Sequence, residues 1–210
     1  MLALHVPGTE LLGVSTVHGN AHAHLTLANA GRLLHAYGAP PNILPHGGAV
    51  RPLLRPGRVD LEIHGLDGLG GVEGLAPASD TTRTRQPSPL KAVEGIKLAV
   101  ESQAAGEVTL VATGPLTNIA LFASVYPDLL ACVKEIIFMG GGVGLGNRSA
   151  AAEYNILCDR TCERILEVFL VMLTRVTAEA AQIVLDLPIP KGVQLPSASK
   201  PLILTFSLQS

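Results

Sequence analysis

Three apolar runs in this chain are each followed by a short set of amide, carboxylate or small polar side chains. His18, Gly19 and Asn20 follow the run at 11–17, and Thr113, Gly114 and Pro115 close the run at 108–113. Met139 and Gly140 to Gly142 close the run at 136–139, with Asn147, Glu153, Tyr154 and Asn155 further on. Amides, carbonyls and carboxylates between them donate to and accept from hydroxyl groups, so the set suits a hydroxyl-rich ligand. A phosphate would want Lys or Arg at the same positions.

Other readings compete for some of these residues. His18, His22 and His24 are close in sequence, but they straddle a turn with no carboxylate or thiol beside them, so solvated or capping histidines are preferred to a metal site. Cys158 and Cys162 are one helical turn apart and form no C-x-x-C pair, which favours packing over redox chemistry. The glycine-rich stretch 140–146 follows a strand, yet no P-loop lysine comes after it. Taken alone, Glu153 reads as a solvated carboxylate, Asn155 as a turn former and Met139 as core packing.

The elements that must position these groups follow from periodicity. The continuous apolar runs at 11–17, 108–113 and 136–139 predict buried strands. Apolar residues at helical spacing predict helices over 23–37 and 91–103, a helix opening at Gly114-Pro115 through about 124, and another over 158–168. Residues 42–45 read as a short extended piece, and 50–89, rich in Gly, Pro, Thr and Arg, as a long loop of the kind that is functional or disordered. Such alternation implies an α/β fold, an open, mostly parallel sheet with helices on both faces. Ligands bind such sheets beyond the carboxyl ends of the strands, where the polar sets fall. Residues 1–176 form one partial domain. Beyond Thr177, the breakers at 186–192 and 196–199 predict an irregular tail over 177–210.

Composition narrows the function classes. Of 210 residues, 48% are hydrophobic and 15% charged, which indicates a globular core rather than disorder. A formal charge of −2 with scattered Lys and Arg gives no field for nucleic acid or anionic lipid. Tryptophan is absent and aromatics make up 3%, so a base-stacking platform is not expected. The apolar stretch 165–173 contains Glu167 and is far short of the roughly 20 residues of a membrane span. Three cysteines without disulfide spacing, and no targeting segment, lead to the expectation of a reduced, cytoplasmic setting.

Four segments then carry a family resemblance: Val14-Ser15-Thr16-Val17-His18-Gly19-Asn20; Ile63-His64-Gly65-Leu66-Asp67-Gly68-Leu69-Gly70-Gly71; Leu110 to Ala120, with Thr113-Gly114-Pro115-Leu116-Thr117-Asn118; and Met139 to Gly142 followed by Ala152-Glu153-Tyr154-Asn155. In this order and spacing, over residues 1–166, the chain resembles the inosine-uridine-preferring nucleoside hydrolases. The resemblance implies a Rossmann-like fold and hydrolysis of the N-glycosidic bond of ribonucleosides to ribose and free base, as part of nucleoside catabolism and salvage. It implies one Ca²⁺, whose bound water attacks the anomeric carbon through an oxocarbenium-like transition state. Asn20 and Asn155 match ribose-hydroxyl contacts, Glu153 the carboxylate at the 5′ hydroxyl, Met139 the side chain against the sugar and Asn147 a further sugar contact. Thr113 matches the residue whose main-chain carbonyl ligates Ca²⁺, and His64 and Asp67 lie in the loop near the base pocket. The expected partner is a small ribonucleoside, with homo-oligomers common in the family.

The resemblance also sets expectations through what is missing. The family's DxDPGxDD segment, source of two calcium carboxylates and the general base, is not among these residues, nor is its later His-Asp pair. No catalytic residue is therefore assigned, and Met1 is expected to fall inside the helix that follows that segment. With the Thr113 carbonyl as the sole retained ligand, Ca²⁺ binding is doubtful, since the ion takes 6–8 oxygens. The chain alone is expected to be impaired or inactive, as a fragment or alternative product. The other reading is a non-catalytic homologue that binds a nucleoside or a partner protein. A sheet lacking a central strand is further expected to aggregate or to need a partner that fills the gap.

Overall fold

The computed structural model describes residues 2–139, 154–159 and 200–206. Five strands form one sheet: β1 (Thr9–Thr16), β2 (Pro45–Gly47), β3 (Val108–Ala112), β4 (Val133–Phe138) and β5 (Lys200–Phe206). Their order is β2-β1-β5-β3-β4, and every neighbouring pair is parallel. The helices are α1 (Ala23–Ala36), α2 (Leu61–His64), α3 (Ala92–Glu101), α4 (Thr117–Val125) and α5 (Tyr154–Cys158), with 3-10 turns at Leu2–Leu4 and Pro127–Cys132.

Side-chain alternation along β1 divides the core between the two sheet faces. Leu11 and Val14 join Ala30 and Leu34 of α1, with Ala39 and Ile43. Leu12 packs instead against the cluster built by Ile96 and Val100 of α3, Leu110 of β3 and Ile119 and Phe122 of α4. Successive residues of a strand point to opposite faces. The register shift between Leu11 and Gly13 adds the extra residue that returns Val14 to the Leu11 side. Leu34, Ile96, Leu110, Ile119 and Phe122 are fully buried, each contributing about 1.5–3 kcal/mol. Helices on both faces of a parallel sheet are what the alternating apolar runs predict.

Helix α1 stops where expected, and the mechanism is visible. Gly38 adopts a positive φ of 67°. Its N–H donates to the His35 carbonyl at 3.0 Å, and that of Ala39 to Leu34 at 2.9 Å. This doubly bonded left-handed end satisfies two terminal carbonyls, and a Cβ would oppose it. The long loop after β2 is strapped to α1 rather than loose. Asn29 Nδ2 donates to the Asp67 carbonyl at 2.7 Å, Arg32 Nε to Ala76 at 2.6 Å, and the Arg85 N–H to Gly31 at 3.0 Å. A Cβ on Gly31 would lie 2.2 Å from the Arg85 carbonyl, so glycine lets the loop backbone rest on the helix.

Three expectations are corrected here. The chain was expected to run irregularly from 177 to 210, yet Lys200–Phe206 is a strand, and it holds the central place in the sheet. The apolar run Leu202-Ile203-Leu204 is the physical reason. Pro201 is tolerated because it is the second residue, before the pairing with β3 begins at Leu202. The expected vacant central slot is therefore filled from within the chain, and the premise for aggregation at that gap falls away. Residues 177–199 and 207–210 lie outside the described residues, as does most of the predicted helix at 158–168, of which only Cys158, closing α5, is a described helical residue. The run at 136–139, read as a buried strand, is also less covered than expected. Among the described residues β4 pairs only with β3, and Ile137 and Met139 remain 51% and 42% exposed.

Candidate functional site

The carboxyl ends of β1, β3 and β4 converge with α5. Asn155, 2% exposed, donates through Nδ2 to the Met139 carbonyl at 2.9 Å and to the Thr113 carbonyl at 3.4 Å. The Met139 N–H in turn donates to Ala112 at 2.8 Å. Three of the residues singled out in the sequence, Thr113, Met139 and Asn155, are thus in direct contact. Asn20 is also buried, at the end of β1, and its carbonyl accepts the Asp60 N–H at 3.0 Å. Asp60 acts electrostatically on Tyr154, the neighbour of Asn155, whose phenol is pushed up first by burial and then by Cys158 and Asp60. Asn147 and Glu153 lie outside the described residues.

The loop near the expected base pocket is tightly bonded. His64 is buried at the end of α2; its N–H donates to Asp60 at 3.0 Å and its carbonyl accepts the Gly70 N–H at 2.8 Å. Asp67 Oδ1 accepts the N–H groups of Leu69 at 3.0 Å and Gly71 at 3.2 Å. Those two bonds hold its carboxyl below the usual range. Asp67 thereby closes its own glycine-rich turn. The rings of His22 and His24 stack on each other, centroids 5.8 Å apart.

Sequence reasoning placed His18 in the polar set after β1 but missed its pairing with Thr117 and Asp159. His18, at the end of β1, is 3% exposed, and its Nε2 lies 2.8 Å from Thr117 Oγ1 at the start of α4. Thr117 Oγ1 donates to Asp159 Oδ2 at 2.8 Å, and Asp159 Oδ2 also accepts the Leu53 N–H at 3.0 Å. A hydroxyl has one proton, and the carboxylate takes it, so Thr117 accepts from His18. His18 therefore carries its proton on Nε2, while Nδ1 has no hydrogen-bond partner among the described residues. Beside it, Asn118 donates from Nδ2 to the Thr16 carbonyl and accepts the Ala49 N–H at Oδ1, both at 2.9 Å. A Cβ on Gly48 would meet the Thr16 carbonyl at 2.2 Å and Asn118 Oδ1 at 2.3 Å, so only glycine fits there. The one available signal was the placement of Thr117-Asn118 directly after a strand and a Gly-Pro turn.

Burial pushes the His18 imidazole down to about 4, with the Asp159 charge opposing the shift. The folded ring stays neutral while the unfolded ring titrates near 6.5. Between these values the unfolded state holds more protons, so His18 contributes its full stability above pH 6.5 and loses it as the pH falls toward 4. The full swing is about 3 kcal/mol. Urea unfolding from pH 7 to 4 is expected to show this decline. His18→Gln keeps an amide donor for Thr117 without a titrating ring and should flatten the curve in that window. An unchanged slope would remove His18 as its source.

Among the described residues the donor set does not fit the calcium ion that the resemblance implies. Eight-fold or six-fold oxygen shells need several charged ligands. Here the Thr113 carbonyl faces the Asn155 amide N–H, and the Asp159 carboxylate is engaged by Thr117 and Leu53. Among the described residues no group of three or more His, Cys, Asp or Glu could hold a metal ion. No helix among them is long and apolar enough to cross a membrane.

A family model described as inosine-uridine preferring nucleoside hydrolase matches residues 1–196. Over 159 residues the chain is 40% identical to a pyrimidine-specific ribonucleoside hydrolase of Shewanella woodyi, covering 76% of this chain and 48% of that protein. Over 157 residues it is 38% identical to a non-specific ribonucleoside hydrolase of Klebsiella pneumoniae, covering 75% and 49%. A solved purine-preferring ribonucleoside hydrolase from Gardnerella vaginalis superposes with a TM-score of 0.70 at 27% identity, over 80% of this chain and 52% of that one. A plant nucleoside hydrolase does so with a TM-score of 0.70 at 30% identity, over 80% and 51%. The chain spans about half the length of the curated relatives it matches.

Proposed function

The chain belongs to the inosine-uridine preferring nucleoside hydrolase family, and from that premise we propose that its residues form the ribose-gripping part of an N-glycosidase acting on ribonucleosides. The observation that carries this reading is the junction of Asn155 with the Met139 and Thr113 carbonyls at the rim, with Asn20 buried just after β1. Similar relatives are named as pyrimidine-specific and as non-specific enzymes, and a solved neighbour as purine-preferring. Their names share the ribonucleoside and differ in the base, which supports a sugar-directed role for the matched portion. Asn20, Asn147, Glu153 and Asn155 are proposed to take the sugar hydroxyls, Met139 to lie against the ring, and His64 to sit near the base. Cys132 and Cys158 form no disulfide among the described residues, which supports a cytoplasmic role in nucleoside breakdown and salvage.

A second reading is favoured by the poor fit to calcium. These 210 residues on their own bind nucleosides better than they cleave them, because the described donors hold no carboxylate cluster for an ion that would activate water. Purified chain should be titrated with uridine, inosine and 2′-deoxyuridine by calorimetry, and base release followed with and without added Ca²⁺. The expected result is weaker binding of 2′-deoxyuridine than of uridine, with little base released. Equal affinity for the two would overturn the ribose-directed site. Rapid, calcium-dependent release would overturn the impaired-turnover reading and leave the glycosidase assignment standing.

A further inference from the structure

The buried chain His18–Thr117–Asp159 uses groups that the proposed site does not, and it joins the two elements that carry the ribose contacts. His18 lies two residues before Asn20 on the turn leaving β1. Asp159 lies four residues after Asn155, one helical turn further along the segment that contains α5. Thr117, wholly buried at the first turn of α4, stands between them with 2.8 Å contacts on either side. The Asp159 oxygen that receives the hydroxyl also receives the Leu53 N–H, which fixes the loop beside the Ala49 carbonyl that accepts the His18 N–H at 3.0 Å. Every donor in this chain has one acceptor, and the direction of each proton is set by the carboxylate at its end.

We infer that His18, Thr117 and Asp159 are positioning residues that hold the Asn20 turn and the Asn155 helix at a fixed separation across the ribose site. The inference rests on the ribose-gripping reading above. A hydroxyl is required at 117, because only a group that donates to Asp159 while accepting from His18 closes the relay. A valine fills the same volume and breaks both bonds, leaving a buried N–H and a buried carboxylate underbonded. The two ends then lose their common reference, although neither Asn20 nor Asn155 is altered. The His18 tautomer is part of the device: the Nε2–H form points its proton at Thr117, and the opposite tautomer would set two lone pairs against each other.

The test uses the full chain labelled with ¹⁵N, as wild type, Thr117→Val and Thr117→Ser. Three quantities are read at pH 7: the His18 ring nitrogens, the side-chain amide resonances of Asn20 and Asn155, and the dissociation constant for uridine. In Thr117→Val the Nε2–H pattern of His18 is expected to be lost, both asparagine amides to shift, and uridine binding to weaken about tenfold, the scale of one lost hydrogen bond. Thr117→Ser, which restores the hydroxyl, should return all three. If Thr117→Val does not fold, Thr117→Cys, near in size and only a weak donor, is read in the same way. A variant that melts at lower temperature while both asparagine amides and uridine affinity stay as in the wild type would overturn the inference and leave the relay a purely stabilising contact. If the wild type binds no uridine, the ribose-gripping reading fails, and the asparagine amides still decide whether the relay couples the two elements.

Discussion

Replacing Ile203 with proline is expected to abolish cooperative folding of the whole chain. Ile203 sits in the middle of β5, in register with Gly13 on one side and Leu110 on the other. In a parallel strand the N–H of each residue points to one neighbour or the other, and here both neighbours are strands. Whichever way it faces, proline removes a ladder donor and leaves a buried carbonyl without its partner. The local cost is about 3 kcal/mol or more. The consequence is larger, because β5 alone connects β2 and β1 to β3 and β4 through the sheet. A total stability of roughly 5–15 kcal/mol cannot absorb both the lost bonds and two newly exposed strand edges. Thermal and urea unfolding followed by circular dichroism should show no sharp transition for Ile203→Pro, and scattering should reveal aggregation. Ile203→Val, which keeps the donor and the β-branch, should melt like the wild type. A cooperative melt for the proline variant within a few degrees of wild type would show that Lys200–Phe206 is not the central strand.

Strand β5 also marks the boundary of what the sequence made legible. The strands at 9–16, 108–112 and 133–138 were readable because each overlaps an apolar run, at 11–17, 108–113 and 136–139, bounded by glycine or a turn. Leu202-Ile203-Leu204 is equally apolar, but Pro196 and Pro201 flank it, and prolines are ordinarily evidence against a central strand. The position of Pro201, one residue before pairing with β3 starts, is a fact of register, and register with segments about 90 and 190 residues away is not written locally. The long loop shows the same division. Its Gly and Pro content announced irregular backbone, whereas its attachment to α1 depends on Asn29, Arg32 and Gly31 meeting loop backbone atoms across the fold.

The rim residues were legible through a resemblance, and their support was not. Thr113, Met139 and Asn155 were singled out from position after a strand or from motif, and they meet. His18 was read in the rim set, and as solvated or capping rather than metal-binding, and Thr117 as part of a helix opening; both are buried and paired with each other. Their partners are 99 and 42 positions distant. A polar residue's partner at such range cannot be inferred from spacing, because the same Thr or His would be equally at home on a solvated turn.

Asn118 is the buried support whose loss should cost most for a single side chain, and its replacement by alanine is expected to destabilise the chain by about 3–5 kcal/mol. The residue is fully buried. Its amide holds the Thr16 carbonyl at the end of β1 and its oxygen holds the Ala49 N–H in the loop that follows β2. Alanine leaves both backbone groups dry and unpartnered, at about 1–3 kcal/mol each, and adds a small cavity. For a chain of this size that corresponds to a fall in melting temperature of roughly 10 °C. Asn118→Asp separates hydrogen bonding from volume. The carboxylate keeps an acceptor for Ala49 but turns a charge toward the Thr16 carbonyl, so it should be at least as damaging despite its nearly identical shape. Ser124→Ala, on the exposed side of the same helix, should stay within about 0.5 kcal/mol of wild type. The effect should reach the rim as well, because Thr16 and Ala49 anchor the turn that presents His18 and Asn20. Uridine affinity should therefore fall in Asn118→Ala even at temperatures where the variant is fully folded. Asn118→Ala with wild-type stability would mean that Thr16 and Ala49 find other partners, and that the end of β1 is set by the sheet alone.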